Sequence, residues 1–195
     1  MVQANGAAVK QDIILAGVGG QGILSIAFVI DSAALEDGLR LKQAEVHGMA
    51  QRGGAVTSHL RLSRGPIWSD LVPKGKADLI LSVEPLEALR YLDYLTPQGK
   101  VVTSSAPYKN IPDYPEVGLV LAKLREFPSS VVIDSEKLAK EAGSSRAQNI
   151  VMLGALSRLM SIPEATFEHV IRQNVKAKFV DLNLKAFQAG RKLLR

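Results

Sequence analysis

Cysteine is absent from this chain of 195 residues. Disulfides, thiolate zinc sites and cysteine-ligated iron–sulfur clusters are therefore excluded within it. Any electron transfer in which it takes part must run through centres held by another chain. Histidine occurs only at His47, His59 and His169, too dispersed to suggest a metal site; the last two read as surface or packing residues. Runs of like charge are missing as well. The 24 Lys and Arg outnumber the 19 Asp and Glu, for a net charge of +5, but no five basic residues stand together, and nothing marks a nucleic-acid footprint. The mild positive charge would equally suit an acidic protein partner.

Long apolar runs are also lacking. The stretch Ile23 to Leu35 is interrupted by Ser25, Asp31 and Ser32, and it falls short of the roughly 20 residues needed to span a bilayer. The first eleven residues carry no apolar signal-peptide core and read as a loose leader. These absences point to a cytoplasmic chain with no membrane partner. What remains, 47% hydrophobic and 22% charged residues, is ordinary for one globular domain over residues 12–195.

Two glycine-bearing loops stand out. The first, Gly17-Val18-Gly19-Gly20-Gln21-Gly22, follows the apolar run Ile13-Ile14-Leu15-Ala16 and precedes a helical pattern from Ile23 to Glu36, with Gly38 as a stop. Gly17, Gly19 and Gly22 fit G-x-G-x-x-G between strand and helix. There glycine permits a tight turn and close backbone approach, and helix amides point at a phosphate. Glu45 lies near where a ribose-binding acid would sit. A nicotinamide or flavin nucleotide is one reading; a turn that packs helix on strand, or meets a partner, is the other.

The second loop, Glu45-Val46-His47-Gly48-Met49-Ala50-Gln51-Arg52-Gly53-Gly54, sets acid, imidazole, amide and guanidinium before a glycine pair. His47 titrates near neutral pH and serves either proton transfer or hydrogen bonding at an interface. Arg52 suits a charge-assisted fork on phosphate or carboxylate, or an ion pair to a neighbouring element. Gly53 and Gly54 let the backbone approach closely.

Elsewhere, Glu84 ends a strand where α/β folds place ligands, or it is a first-turn helix acid favoured by the dipole. Asn149 opens an apolar helix and either caps a loop or reaches the glycine loop. Ala55 to Leu62 alternates and, with a turn at Arg64-Gly65-Pro66 and a return from Ile67-Trp68-Ser69, reads as an inserted β-hairpin. Trp68 in it is either an interface anchor or a cover for the domain's own core. Strands follow at Asp78 to Val83, Lys100 to Ser104 and Val131 to Asp134. Between them lie a helix from Glu84, a turn at Thr96 to Gly99, a loop of three prolines over 106–115, and a helix around Glu116 to Glu126. Helices at Ser135 to Ala142, Arg146 to Met160, Pro163 to Asn174 and Lys178 to Leu194 complete the chain. The expected fold is α/β: a Rossmann-like three-layer fold with a mainly parallel sheet, an inserted β-hairpin and a helical C-terminal third.

The two glycine loops in this order, with Ser82-Val83-Glu84-Pro85 and Asn149, resemble the gamma-type subunits of the 2-oxoacid:ferredoxin oxidoreductases, and among them the indolepyruvate (arylpyruvate) type. The likeness runs from Asp12 to the last helix. It implies oxidative decarboxylation of a 2-oxoacid on thiamine diphosphate, iron–sulfur clusters passing electrons to ferredoxin, and coenzyme A as acyl acceptor. It further implies that this chain binds no cofactor firmly and that a large partner subunit holds the thiamine diphosphate and the clusters. The absence of a G-D-G thiamine motif and of cysteine agrees with that division. On this reading Gly17, Gly19, Gly20, Gln21, Gly22, Glu45, His47, Met49, Gln51, Arg52, Gly53, Gly54, Glu84 and Asn149 face ligand or partner, and none is catalytic. The competing reading is a stand-alone NAD- or FAD-binding oxidoreductase or redox sensor.

Overall fold

The computed structural model describes residues 9–47 and 53–194, with His47 by its backbone only. Met49, Gln51 and Arg52 lie outside the described residues. The elements run β1 (Lys10–Val18), α1 (Ile23–Glu36), β2 (Arg40–His47), β3 (Ala55–Ser63), β4 (Ala77–Ser82), α2 (Pro85–Arg90), β5 (Leu95–Ser104), α3 (Val117–Arg125), β6 (Ser130–Ile133), α4 (Ser135–Ala142), α5 (Gln148–Ser157), α6 (Glu164–Asn174) and α7 (Val180–Arg191).

Six strands form one sheet in the order β2-β3-β1-β4-β5-β6. β1, β4, β5 and β6 are parallel, and β3 is antiparallel to both β1 and β2. The alternation of strand side chains explains the layers. Ile13, Leu15, Leu79 and Leu81 join the apolar residues of α1, α5, α6 and α7, whereas Ile14, Ile80 and Val101 meet Ala88 of α2 and Val120 and Leu124 of α3. This is the expected three-layer α/β architecture with a mainly parallel sheet and a helical last third.

The hairpin is real but differently built. Its arms are β2 and β3, joined through the second glycine-bearing loop, and β3 is wedged between β2 and β1, with Val56 opposite Gly17 on one side and His47 on the other. Ile67 to Ser69 form no return strand. A return there would have no free edge to pair with, because both edges of β3 are occupied. β1 and β2 therefore run parallel but one strand apart. The expected turn at Thr96 to Gly99 is absorbed into β5 as an irregularity, where Ala77 opposes Leu95 and Leu79 opposes Lys100. β1 starts at Lys10, slightly ahead of the expected domain start, with Lys10 paired to Ser63.

The polar residues on the second face of β3 are satisfied by the end of α2, the 3-10 turn Leu92–Tyr94 and the loop after β3. Thr57 hydrogen-bonds the Tyr91 hydroxyl, and His59 meets Tyr94 edge-on at 5.5 Å while its Nδ1 accepts from Val72 N at 3.2 Å. Burial holds the His59 imidazole below its usual pKa. Arg61 grips buried Asp12 with Nε to Oδ1 at 2.8 Å and a second nitrogen to Oδ2 at 3.1 Å. It also donates to the carbonyls of Ser69 and Leu71 at 3.1 and 3.3 Å. Trp68, on the loop so pinned, is 90% exposed, which removes the possibility that it covers the domain's own core.

Candidate functional site

The C-terminal ends of β1, β4 and β5 carry the site, and the glycines decide its shape. An added Cβ at Gly17 would lie 2.6 Å from Val83 Cγ2, and one at Gly22 2.8 Å from Asn149 Nδ2. Gly20 and Gly22 have φ of 101° and 82°, which other residues adopt only with strain. Gly22 is also the N-cap of α1 and offers no side chain to its first amides. The turn therefore leaves N–H donors at the positive end of a helix of 14 residues, the chemistry that suits an anionic group.

The two glycine loops, far apart in sequence, are hydrogen-bonded to each other. Gly19 N donates to Gly54 O at 2.8 Å, and Gly53 N to Gly19 O at 3.4 Å. Asn110, from the proline-rich loop after β5, donates from Nδ2 to Gly53 O at 2.7 Å. Asn149 lies against Gly22, so the helix α5 side chain does reach the glycine loop.

Two residues expected to face ligand or partner spend side-chain hydrogen bonds on the fold itself. Gln21 Oε1 accepts from Val18 N at 2.8 Å and its Nε2 donates to Val83 O at 3.4 Å, clamping the turn onto two strand ends. Glu84 is 1% exposed. Its carboxylate caps α2 by accepting Glu87 N at 2.8 Å, and it accepts Tyr108 N at 3.3 Å and the Tyr114 hydroxyl. Burial first, then the bond and charge of Glu84, push the Tyr114 phenol above its usual range, so it remains a donor. The helix-acid reading of Glu84 is thus the one the geometry carries, with the added task of holding the loop over the cleft. Glu45 is exposed on β2, where it accepts from Gln43 Nε2, away from the Gly20–Asn149 wall.

The cleft so framed has a volume of about 450 Å³ and is lined by Gly20, Gln21, Val83, Tyr108, Arg146 and Asn149 among others. Behind it Ser104 Oγ meets Ser135 Oγ at 2.8 Å, and Ser135 Oγ donates to Gln148 Oε1 at 3.4 Å. A smaller hollow of about 320 Å³ lies along the glycine turn and Leu24. Arg146 supplies the cleft's cation and Glu136, paired to Lys140 at 2.6 Å, its acid. His59 faces Val72 and Tyr94 instead, so neither serine has an imidazole beside it among the described residues. The arrangement can hold and orient a ligand or a neighbouring chain. Tyr108, Asn110, Ser135, Arg146 and Gln148 were not singled out by sequence. Their one signal was position, since the segments after β5 and β6 must end at the same edge of the sheet as the glycine loop. Among the described residues no group of three His, Asp or Glu could hold a metal ion, and no helix is long and apolar enough to cross a membrane.

Fold and cleft define a Rossmann-like three-layer component with a loop-built recess at the carboxyl ends of its strands. Residues 12–193 match the family model described as pyruvate ferredoxin/flavodoxin oxidoreductase. The chain belongs to that family, as a chain of the gamma-subunit type. It is 40% identical over 193 residues to the indolepyruvate oxidoreductase subunit IorB of Thermococcus kodakarensis, covering 93% of this chain and 94% of that one. The structure is similar to the gamma subunit of a keto/oxoacid ferredoxin oxidoreductase from Geobacter sulfurreducens (TM-score 0.73, 26% identity, 95% and 96% of the two chains covered). It is also similar to 2-oxoglutarate:ferredoxin oxidoreductase from Magnetococcus marinus, a structure with 2-oxoglutarate, coenzyme A and succinyl-CoA bound. There the TM-score is 0.73 at 24% identity, covering 95% of this chain but 32% of that one.

Proposed function

We propose that this chain is the non-cofactor-bearing subunit of an indolepyruvate-type ferredoxin oxidoreductase. The assembly converts arylpyruvates to aryl-acetyl-CoA in the cytoplasm and reduces ferredoxin. A large partner subunit carries thiamine diphosphate and the iron–sulfur clusters, and this chain supplies one wall of the site. The observation that carries the reading is the pairing of the two glycine loops, Gly19 to Gly53 and Gly54. It makes a pre-organised backbone surface beside the cleft. Coenzyme A, the co-substrate, fits that cleft in kind. Arg146 suits phosphate, and Val83, Ala106 and Pro107 offer apolar contact to the thiol arm, while the open amides of α1 border the adjoining smaller hollow.

The nucleotide-oxidoreductase reading is weakened by the sheet order. β3 separates β2 from β1, which moves Glu45 two strand spacings, about 9.5 Å, from the strand that feeds the glycine loop.

The test is reconstitution. The chain alone should be silent with arylpyruvate, coenzyme A and a viologen dye, and it should restore dye reduction when added to its large subunit. Gly53→Val should impair that activity, because φ at Gly53 is 82° and a branched side chain strains there. Activity from the isolated chain, or full activity of the large subunit without it, overturns the proposal.

A further inference from the structure

Helix α1 reads Ile-Leu-Ser-Ile-Ala-Phe-Val-Ile-Asp-Ser-Ala-Ala-Leu-Glu and contains no basic residue. Its inner side, with Ile23, Ile26, Ile30 and Ala33, is buried against the sheet and α6. Its outer side should then be polar. Instead Leu24, Phe28 and Leu35 stand 45%, 53% and 62% exposed. With Asp31 they occupy positions i, i+4, i+7 and i+11, one straight stripe along the helix. Phe179, also exposed, extends the patch, and a hollow of about 540 Å³ lies between it and Leu24 and Phe28.

Within this apolar stripe Asp31 is the exception. Its Oδ1 is buried and has no hydrogen-bond partner among the described residues, and such an atom costs free energy until something bonds it. Burial, followed by the charge of Glu45, already pushes the Asp31 carboxyl up to about 7.

We infer that the α1 stripe is the docking face for a helix of the large partner subunit, apolar along one side and carrying an Arg or Lys opposite Asp31. The spacing is that of helix-on-helix packing. The charge requirement selects the occupant. A second copy laid antiparallel on the same stripe about a two-fold axis would set Asp31 against the copy's Phe28, and α1 holds no cation to meet either carboxylate. The inference rests on the subunit reading, and the Magnetococcus relative, where this fold is 32% of one longer chain, shows it lying within a larger polypeptide. Because α1 begins at Gly22, a helix seated on Leu24 and Phe28 would also wall the glycine-loop hollow, which Leu24 itself lines.

The test uses the purified chain and the large subunit isolated from the native complex. Association is measured by titration calorimetry and the chain's own Tm is recorded. Leu24→Ser with Phe28→Ser should weaken association roughly 30-fold or more, the scale of losing a hot spot, with Tm unchanged or raised. Asp31→Lys should do the same, whereas Asp31→Asn, which still accepts a hydrogen bond, should lose less than tenfold. A photo-crosslinker at position 28 should attach to a helix of the large subunit, and one at Leu119, exposed on α3, should not. Unchanged affinity in the double serine variant overturns the inference. So does concentration-dependent self-association of the wild-type chain that the double variant abolishes, which would make a second copy the occupant. If the wild-type chain fails to bind the large subunit at all, the subunit reading itself falls.

Discussion

Helices α1 and α5 are alike in sequence and opposite in surroundings. Both are apolar around most of their circumference and neither carries a basic residue. α5 is wrapped by its own chain, with every residue from Ile150 to Ser157 buried. α7 lies so close that a Cβ on Gly154 would stand 2.0 Å from Phe187 O, and one on Gly190 1.9 Å from Val151 O. α1 has the sheet beneath it and nothing of the described chain over Leu24, Phe28 and Leu35. An all-round apolar helix belongs in an interior. α5 finds that interior within the domain, and α1 calls for one made jointly with another chain.

The sharpest way to break the contrast is at the α5–α7 crossing. Gly190→Val sets a branched side chain on backbone that cannot yield. The loss should exceed the roughly 1–3 kcal/mol of ordinary overpacking, read as a fall in the urea midpoint or failure to fold.

A matched pair of truncations is gentler. Leu153→Ala in α5, at a fully buried position, should cost about 2–5 kcal/mol. Phe28→Ala in α1 should change the isolated chain by about 0.5 kcal/mol or less, as open surface positions do. Equal losses in urea unfolding would show that α1 is covered after all.

The smallest effect is electrostatic. Asp31 in the folded chain holds its proton up to about pH 7, against 3.8 for an ordinary Asp. The folded state therefore binds more protons than the unfolded between those values, and stability falls as pH rises from about 4 to 7. Asn carries no charge to desolvate. Asp31→Asn should raise Tm by an amount that grows across that window and levels above pH 7, as thermal melts at pH 5, 6 and 8 would show. The gain should shrink in the assembled complex, where a cation faces the aspartate. A gain that grows toward acid would refute the assignment.

Local signals made much of this legible. The helical spacing of Ile23 to Glu36 and of Ser135 to Ala142 matches α1 and α4. Gly38 ends the first at φ 73°, and Asp134 caps the second by accepting Lys137 N at 3.0 Å. Strand partners were not legible, because pairing is a long-range choice that a period of two does not encode. Thr57, His59 and Arg61 share one side of the alternating strand, and only the structure shows that Tyr91, Val72 and Asp12 meet them there. Ile67-Trp68-Ser69 has strand composition but no edge to join. In the site, the glycines declared themselves through backbone need. Gln21 and Glu84 declared only their polarity, and which way a polar side chain turns depends on neighbours 62 and 24–30 residues off.

Glu84 joins pieces of chain that would otherwise open on separate clocks. The segment over 106–115, with three prolines, has the composition of a loop that exchanges its amide hydrogens almost at once. Yet the Tyr108 amide is held by a carboxylate seated at the start of α2, and the same carboxylate holds the Tyr114 hydroxyl further along that loop. To free that amide, its bond to a carboxylate buried at the start of α2 must break. Tyr108 should exchange more slowly than the unbonded amides of the same loop. The rim of the cleft is then tied at two points to the buried start of a helix, and whatever enters the cleft meets a wall already braced from beneath.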